Sequence, residues 1–356
     1  MAIERNNVLF LLGAGCSRDA GIPVSSEMVE KVQDLIVNDG AWSTYRDLYY
    51  YLRSCIQFAD GIFGNFDSSF NIEKLLIVIN ELEKKERNSI FPFIGAWDNR
   101  LLDLAGENFK KLADFKDKIR TELVNKWVKI PNYRLAEYYN GFNKLQFGES
   151  GLGLNLKVFS LNYDLCFEKI VGQHATIELG FDEAGEWSYN NFELSDSKSY
   201  TLYKLHGSLD WYTDRETKRL KQSAEANSDP LLIFGEINKL RAIDPYLFYI
   251  YEFRRFCFHP DLKLIVCIGY SFSDEHINDI ISQAVKNNSQ TKVLTTIHGT
   301  SERRRDEIVK SLNLGPDLRD RVLFEQTDAK QFLGETLCTG YLASKIGTSA
   351  ETLFEA

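Results

Sequence analysis

Five consecutive apolar residues, Val8-Leu9-Phe10-Leu11-Leu12, stop at Gly13, and this constrains the fold more than any other feature of the chain. A run without polar interruption has no helical period, and it is too short to span a bilayer. It reads as a strand buried on both faces, as in a parallel sheet. Lys157 to Leu161, Leu262 to Ile268, Lys292 to Ile297 and Arg321 to Phe324 repeat the theme, and the run ending at Ile268 again meets a glycine. Helical spacing over Asp274 to Lys286 and Ser301 to Leu312 follows two of these runs. Strands alternating with helices imply right-handed crossovers and a doubly wound, Rossmann-like parallel α/β sheet.

The stretch from 26 to 150 has another period. Asn71 to Glu86 and Glu107 to Val128 carry apolar residues three and four apart with Lys and Glu between them, which predicts a large helical insertion. The expected layout is therefore a sheet core from 1–25 and 151–335, a helical subdomain from 26–150 and a tail from 336–356. Gly180 to Ser199, rich in Asn, Ser, Asp and Glu, reads as an irregular loop.

With 42 basic and 51 acidic residues the net charge is -9, which disfavours a protein that coats phosphate backbones. No stretch approaches the ~20 apolar residues of a membrane helix. The six cysteines include no Cys-x-x-Cys pair, which argues against a zinc ribbon or a disulfide framework. The expectation is a cytoplasmic protein with reduced thiols, no metal, no membrane contact and no direct nucleic-acid binding.

Gly13-Ala14-Gly15-Cys16-Ser17 directly follows the first strand. Such a turn lets backbone N–H groups approach a pyrophosphate. A tight turn without ligand would carry the same glycines, and the dinucleotide fingerprint G-x-G-x-x-G is broken by Arg18. The wider segment, Gly13 to Pro23, resembles the first motif of the Sir2 (sirtuin) family, G-A-G-x-S-x-x-x-G-I-P. Asn162-Tyr163-Asp164 resembles its T-x-N-x-D element, and Lys204-Leu205-His206-Gly207-Ser208 its catalytic L-H-G-S element. Ile233-Phe234-Gly235-Glu236 resembles an F-G-E segment, and Gly269 to Asp274 stands where the family has G-T-S, in a G-Y-S-x-x-D form. All five come in the family's order.

Departures refine the resemblance. Val24-Ser25-Ser26 replaces the Asp-Phe-Arg segment of the protein deacylases, and their four zinc-binding cysteines are missing. The chain is most similar to bacterial Sir2-like NAD-consuming proteins of anti-phage defence. That resemblance implies an NAD+ hydrolase releasing nicotinamide and ADP-ribose, with NAD as substrate and no zinc. It also implies control by assembly, as a homo-oligomer or with a HerA-like ATPase or Argonaute-type partner. An NAD or ADP-ribose sensor without turnover, and a deacylase, are the other readings.

The catalytic candidates are Asn162, His206 and Asp164. An amide both donates and accepts, which suits Asn162 to hold a ribose or an attacking water. An imidazole suits proton transfer near neutrality. Asn162 and Asp164 can equally cap the helix carrying Leu165 and Phe167, and a histidine before glycine can be a turn residue. Cofactor contacts implied by the resemblance are Gly13, Ala14, Gly15, Ser17, Gly21, Ile22, Pro23, Gly269 and Ser271, with Asp328 toward the adenine end. Cys16 reads as a packing residue. Arg303-Arg304-Arg305 and Asp274-Glu275-His276 read as helix surface, and the aromatic stretch Tyr246 to Phe258 as core.

Overall fold

The computed structural model describes residues 2–64, 70–84, 99–233, 244–299 and 302–347. Two compact units result: one from Met1–Ile22, Ile130–Leu232 and Leu240–Ala356, the other from Pro23–Lys129 with Ile233–Lys239. Among the described residues no helix is long and apolar enough to cross a membrane.

The first unit is built on β1 (Val8–Leu12), β2 (Leu156–Ser160), β3 (Ile177–Glu178), β4 (Tyr200–Lys204), β7 (Leu264–Ile268), β8 (Lys292–Thr296) and β9 (Val322–Glu325). They form a seven-stranded sheet in the order β3-β4-β2-β1-β7-β8-β9, every pairing parallel. A separate antiparallel hairpin joins β5 (Trp211–Thr213) to β6 (Leu220–Gln222). The sheet is doubly wound and Rossmann-like, as the apolar runs predict. β1 occupies the middle, with Phe10 opposite Val158 on one side and Val266 on the other.

Both faces of the sheet are covered because each strand alternates. Phe10 meets Phe142 of the helix Asn140–Phe147 edge to face at 5.2 Å, and Phe142 continues to Phe167 and Tyr200. Leu9 and Leu11 lie in the opposite layer with Phe253, Ile277 and Ile281. In that layer Tyr203 is stacked between Phe159 at 4.6 Å and Phe192 at 5.0 Å. Phe192 comes from Gly180 to Ser199, so that polar segment is anchored to the core rather than looped out. Burying Phe192 offsets the cost of ordering its polar neighbours. Ile130 to Ser150, expected within the helical insertion, belongs to the sheet unit because Phe142 and its neighbours cover the sheet. The tail is also folded as far as residue 347: Leu342 is buried and the Tyr341 ring meets Phe332 at 5.8 Å.

The second unit is helical. Ser25–Asn38, Arg46–Ile62, Ile72–Glu83 and Lys110–Glu122 turn Met28, Val32, Leu48, Leu52, Leu75, Ile79, Phe115 and Ile119 inward. Asn71 caps the third of these by accepting from Lys74 N at 2.9 Å. Trp42 and Tyr45 both pack on Phe115.

Candidate functional site

In a parallel sheet all carboxyl ends point one way, so the loops that follow β1, β2, β4 and β7 share one edge. These loops are Gly13–Ile22, Leu161–Leu165, Leu205–Asp210 and Gly269–Asp274, all within the first unit. Chain direction across the sheet reverses between β1 and β7, the switch point where open α/β sheets bind ligands.

At that point the β1 and β7 loops touch backbone to backbone. Gly13 N donates to Ile268 O and Gly15 N to Gly269 O, each at 2.9 Å. A Cβ on Gly13 would lie 2.6 Å from Gly269 O, and one on Gly269 would lie 2.0 Å from Cys16 N. Gly269 also holds φ +62, in the left-handed region. This contact alone demands glycine at 13, 15 and 269. Two 3-10 turns follow, Ala14–Cys16 and Arg18–Ala20, and Gly21 ends the second in the left-handed region. Ile22 is buried, while Pro23 begins the second unit. Cys16 is fully buried and burial pushes its thiol far up, which fits packing rather than nucleophilic attack.

Ser17 is the polar centre of this turn. It is fully buried, its hydroxyl lies 2.8 Å from Tyr139 Oη, and Asn162 Nδ2 donates to it at 3.3 Å. Burial pushes the Tyr139 phenol well up, so it stays protonated and can donate. Asn162 N is held by Ser160 Oγ at 3.1 Å. Asn162 Oδ1 is buried and hydrogen-bonded to no protein atom. Orphaned buried acceptors are rare, and this one comes from a strand end at the switch point. Ser208 Oγ, on the β4 loop, is likewise buried and unpartnered.

The β2 and β4 loops are stitched together. Leu205 N donates to Ser160 O at 2.8 Å and Leu209 N to Tyr163 O at 3.0 Å. Beneath them Lys204, almost fully buried, pairs with Glu168 Oε1 at 3.0 Å and donates to the Asp164 carbonyl. Burial alone would pull the Lys204 ammonium down. The Glu168, Asp164 and Asp210 carboxylates outweigh burial and hold it above the ordinary lysine range. Asp164 Oδ1 accepts from Cys166 N at 2.9 Å, in the first turn of the helix Cys166–Val171. Leu165 is the cap of that helix and has no side-chain cap bond, so Asp164 holds the first helical N–H from one residue before the cap.

His206 is buried at 8%, and its Nε2 lies 3.4 Å from Asp274 Oδ2. Asp274 is not surface. It is buried to the same degree and caps the helix Glu275–Asn287 through Ile277 N. Sequence reasoning missed it because adjacent acids and a histidine at a helix start resemble a solvated turn. The signal was its fixed place in the G-Y-S-x-x-D segment. Tyr270 and Asn278 brace the same turn: Tyr270 Oη donates to Asn278 Oδ1 at 2.8 Å, and Asn278 Nδ2 to Phe272 O at 2.8 Å.

The remaining candidates lie further out. Ser271 is exposed, and its carbonyl accepts from Arg304 Nη2 at 2.9 Å, so Arg304 does more than face solvent. Asp328 is exposed and caps the short helix Ala329–Gln331, accepting from Gln331 N at 2.7 Å. Phe234, Gly235 and Glu236 lie outside the described residues. All six cysteines are free, and among the described residues no cluster of His, Cys, Asp and Glu is arranged to hold a metal.

The SIR2-like domain family model matches residues 156–316, which include Asn162, His206 and Asp274. A solved structure described as "Structural Basis for the Mechanism and Regulation of Sir2 Enzymes" aligns over 96% of this chain and 92% of its own, at 12% identity and TM-score 0.40. No curated protein matches the chain. Residues 156–316 are therefore similar to a SIR2-like domain.

Proposed function

We propose that this chain is an NAD+ hydrolase that breaks the nicotinamide–ribose bond and releases nicotinamide and ADP-ribose. The SIR2-like match over residues 156–316 supports NAD-dependent chemistry in general. The finer reading rests on one observation: Asn162, tied to Ser17, keeps a buried amide oxygen without a protein partner, on a loop hydrogen-bonded to the one bearing His206.

Those residues fit the substrate. An unpartnered amide oxygen and the Ser208 hydroxyl match the hydroxyls of a ribose, and the switch point is where a dinucleotide lies. NAD supplies a glycosidic carbon that gains positive charge as the neutral nicotinamide departs. The protein has little acid catalysis to provide, so its tasks are orientation and proton removal. Asn162 holds the ribose or the incoming water. His206 accepts the proton released when water attacks. Asp164 and Lys204 fix the loops that carry these two groups and touch no reacting atom. The resemblance further supports an anti-phage effector that depletes NAD in an infected cell. An enzyme of that kind must be off at rest, which calls for control by assembly, with itself or with a HerA-like ATPase or Argonaute-type partner.

The test is product identity. Purified protein is incubated with NAD and the mixture resolved by chromatography for nicotinamide, ADP-ribose and cyclic ADP-ribose. Equal amounts of nicotinamide and ADP-ribose are expected. Binding of NAD without products would favour a sensor instead.

A further inference from the structure

We infer that Asp274 is a positioning residue for His206: it keeps the neutral ring protonated on Nε2, so that the basic nitrogen is Nδ1. This rests on the hydrolase reading for its catalytic consequence, but not for its structural content. Asp274 Oδ2 lies 3.4 Å from Nε2, and both side chains are buried. A lone pair on Nε2 directed at a carboxylate would be repelled, whereas an N–H there is attracted, and burial weakens the screening of both effects. The carboxylate is itself fixed. Its other oxygen, Oδ1, lies 3.4 Å from Ile277 N at the start of a thirteen-residue helix, whose N-terminal dipole favours the ionised form. The Tyr270 hydroxyl that donates to Asn278 also lies 3.2 Å from the Asp274 carbonyl, which holds the backbone of the same turn. Among the described residues none hydrogen-bonds to Nδ1, which leaves that nitrogen to take a proton. The separation is long for a hydrogen bond, as catalytic contacts often are before substrate is bound. Asp274 therefore orients the base and stabilises its imidazolium without touching the reacting atoms.

The experiment reads the tautomer directly. The chain has five histidines, so 15N-histidine labelling with a His206→Gln control assigns the ring. Long-range 1H–15N spectra at alkaline pH should show Nε2–H in the parent protein. Asp274→Asn keeps a capping acceptor, since Asn caps as well as Asp, but removes the charge. It should move the ring toward a mixed or Nδ1–H population. With NAD, kcat should fall about a hundredfold while KM changes less than threefold, and Asp274→Glu should recover part of the loss. An Nδ1–H ring in the parent, or a tautomer indifferent to Asp274→Asn, overturns the proposal. An Nε2–H ring that responds to Asp274 in a protein that never cleaves NAD upholds the pairing and overturns the hydrolase reading.

Discussion

Gly269 shows how one residue can set the site. Its missing Cβ lets the β7 loop lie against the β1 turn, and its φ of +62 is poorly tolerated by any other residue. Gly269→Ala should destabilise the protein by about 2–3 kcal/mol and lower its thermal midpoint by several degrees, since both the strained φ and the clash with Cys16 N must be relieved. An unchanged midpoint would show that the two loops separate easily. The sequence reveals a turn at Gly13-Ala14-Gly15 but not its cause, because the partner backbone lies more than 250 residues away. Asn162 and His206 were legible through the order of their motifs. Asp274 was not, since its burial depends on where the β7 loop packs and its neighbours in sequence are charged.

At the scale of elements, β4 is the instructive case. Tyr200–Lys204 is wholly buried, yet Thr201 and Lys204 interrupt its apolar run, so periodicity passes over it. The polar side chains are tolerated because neighbouring strands and helices supply their partners, which no local pattern records. Lys157 of β2 is the counterpart on the next strand. Its ammonium is held by Asn155 Oδ1 and by Thr201 Oγ1, the latter at 3.1 Å. Burial pulls it down to about 8 from 10.5. Between those two values the unfolded chain keeps a proton that the folded chain has released, so stability rises with pH across that window. Lys157→Met removes this term. In urea unfolding at the two ends of the window, the parent should gain up to about 3 kcal/mol relative to the variant on going to the higher pH. A difference independent of pH would mean that Lys157 titrates as it does in the unfolded chain.

Across the whole molecule, the matched SIR2-like segment begins at residue 156, but the middle strand of its sheet is β1, drawn from residues 8–12. Both neighbours of β1 rely on it for hydrogen bonds, and Phe10, Leu9 and Leu11 lie in opposite layers of the core. Deleting residues 1–22 should abolish cooperative unfolding rather than merely weaken it. A truncated chain with a sharp thermal transition would contradict this placement. The alternation of strand and helix made the sheet class readable, while the return of Ile130 to Ser150 to the sheet became visible only through the Phe10–Phe142 contact. The central claim is that Asn162 and His206 form a centre for cleaving NAD. The most direct test compares the rate of nicotinamide release by the parent, Asn162→Ala and His206→Ala, with thermal midpoints confirming that each is folded. The account predicts turnover by the parent and a loss of at least a hundredfold in each variant. Turnover that survives both substitutions would contradict it.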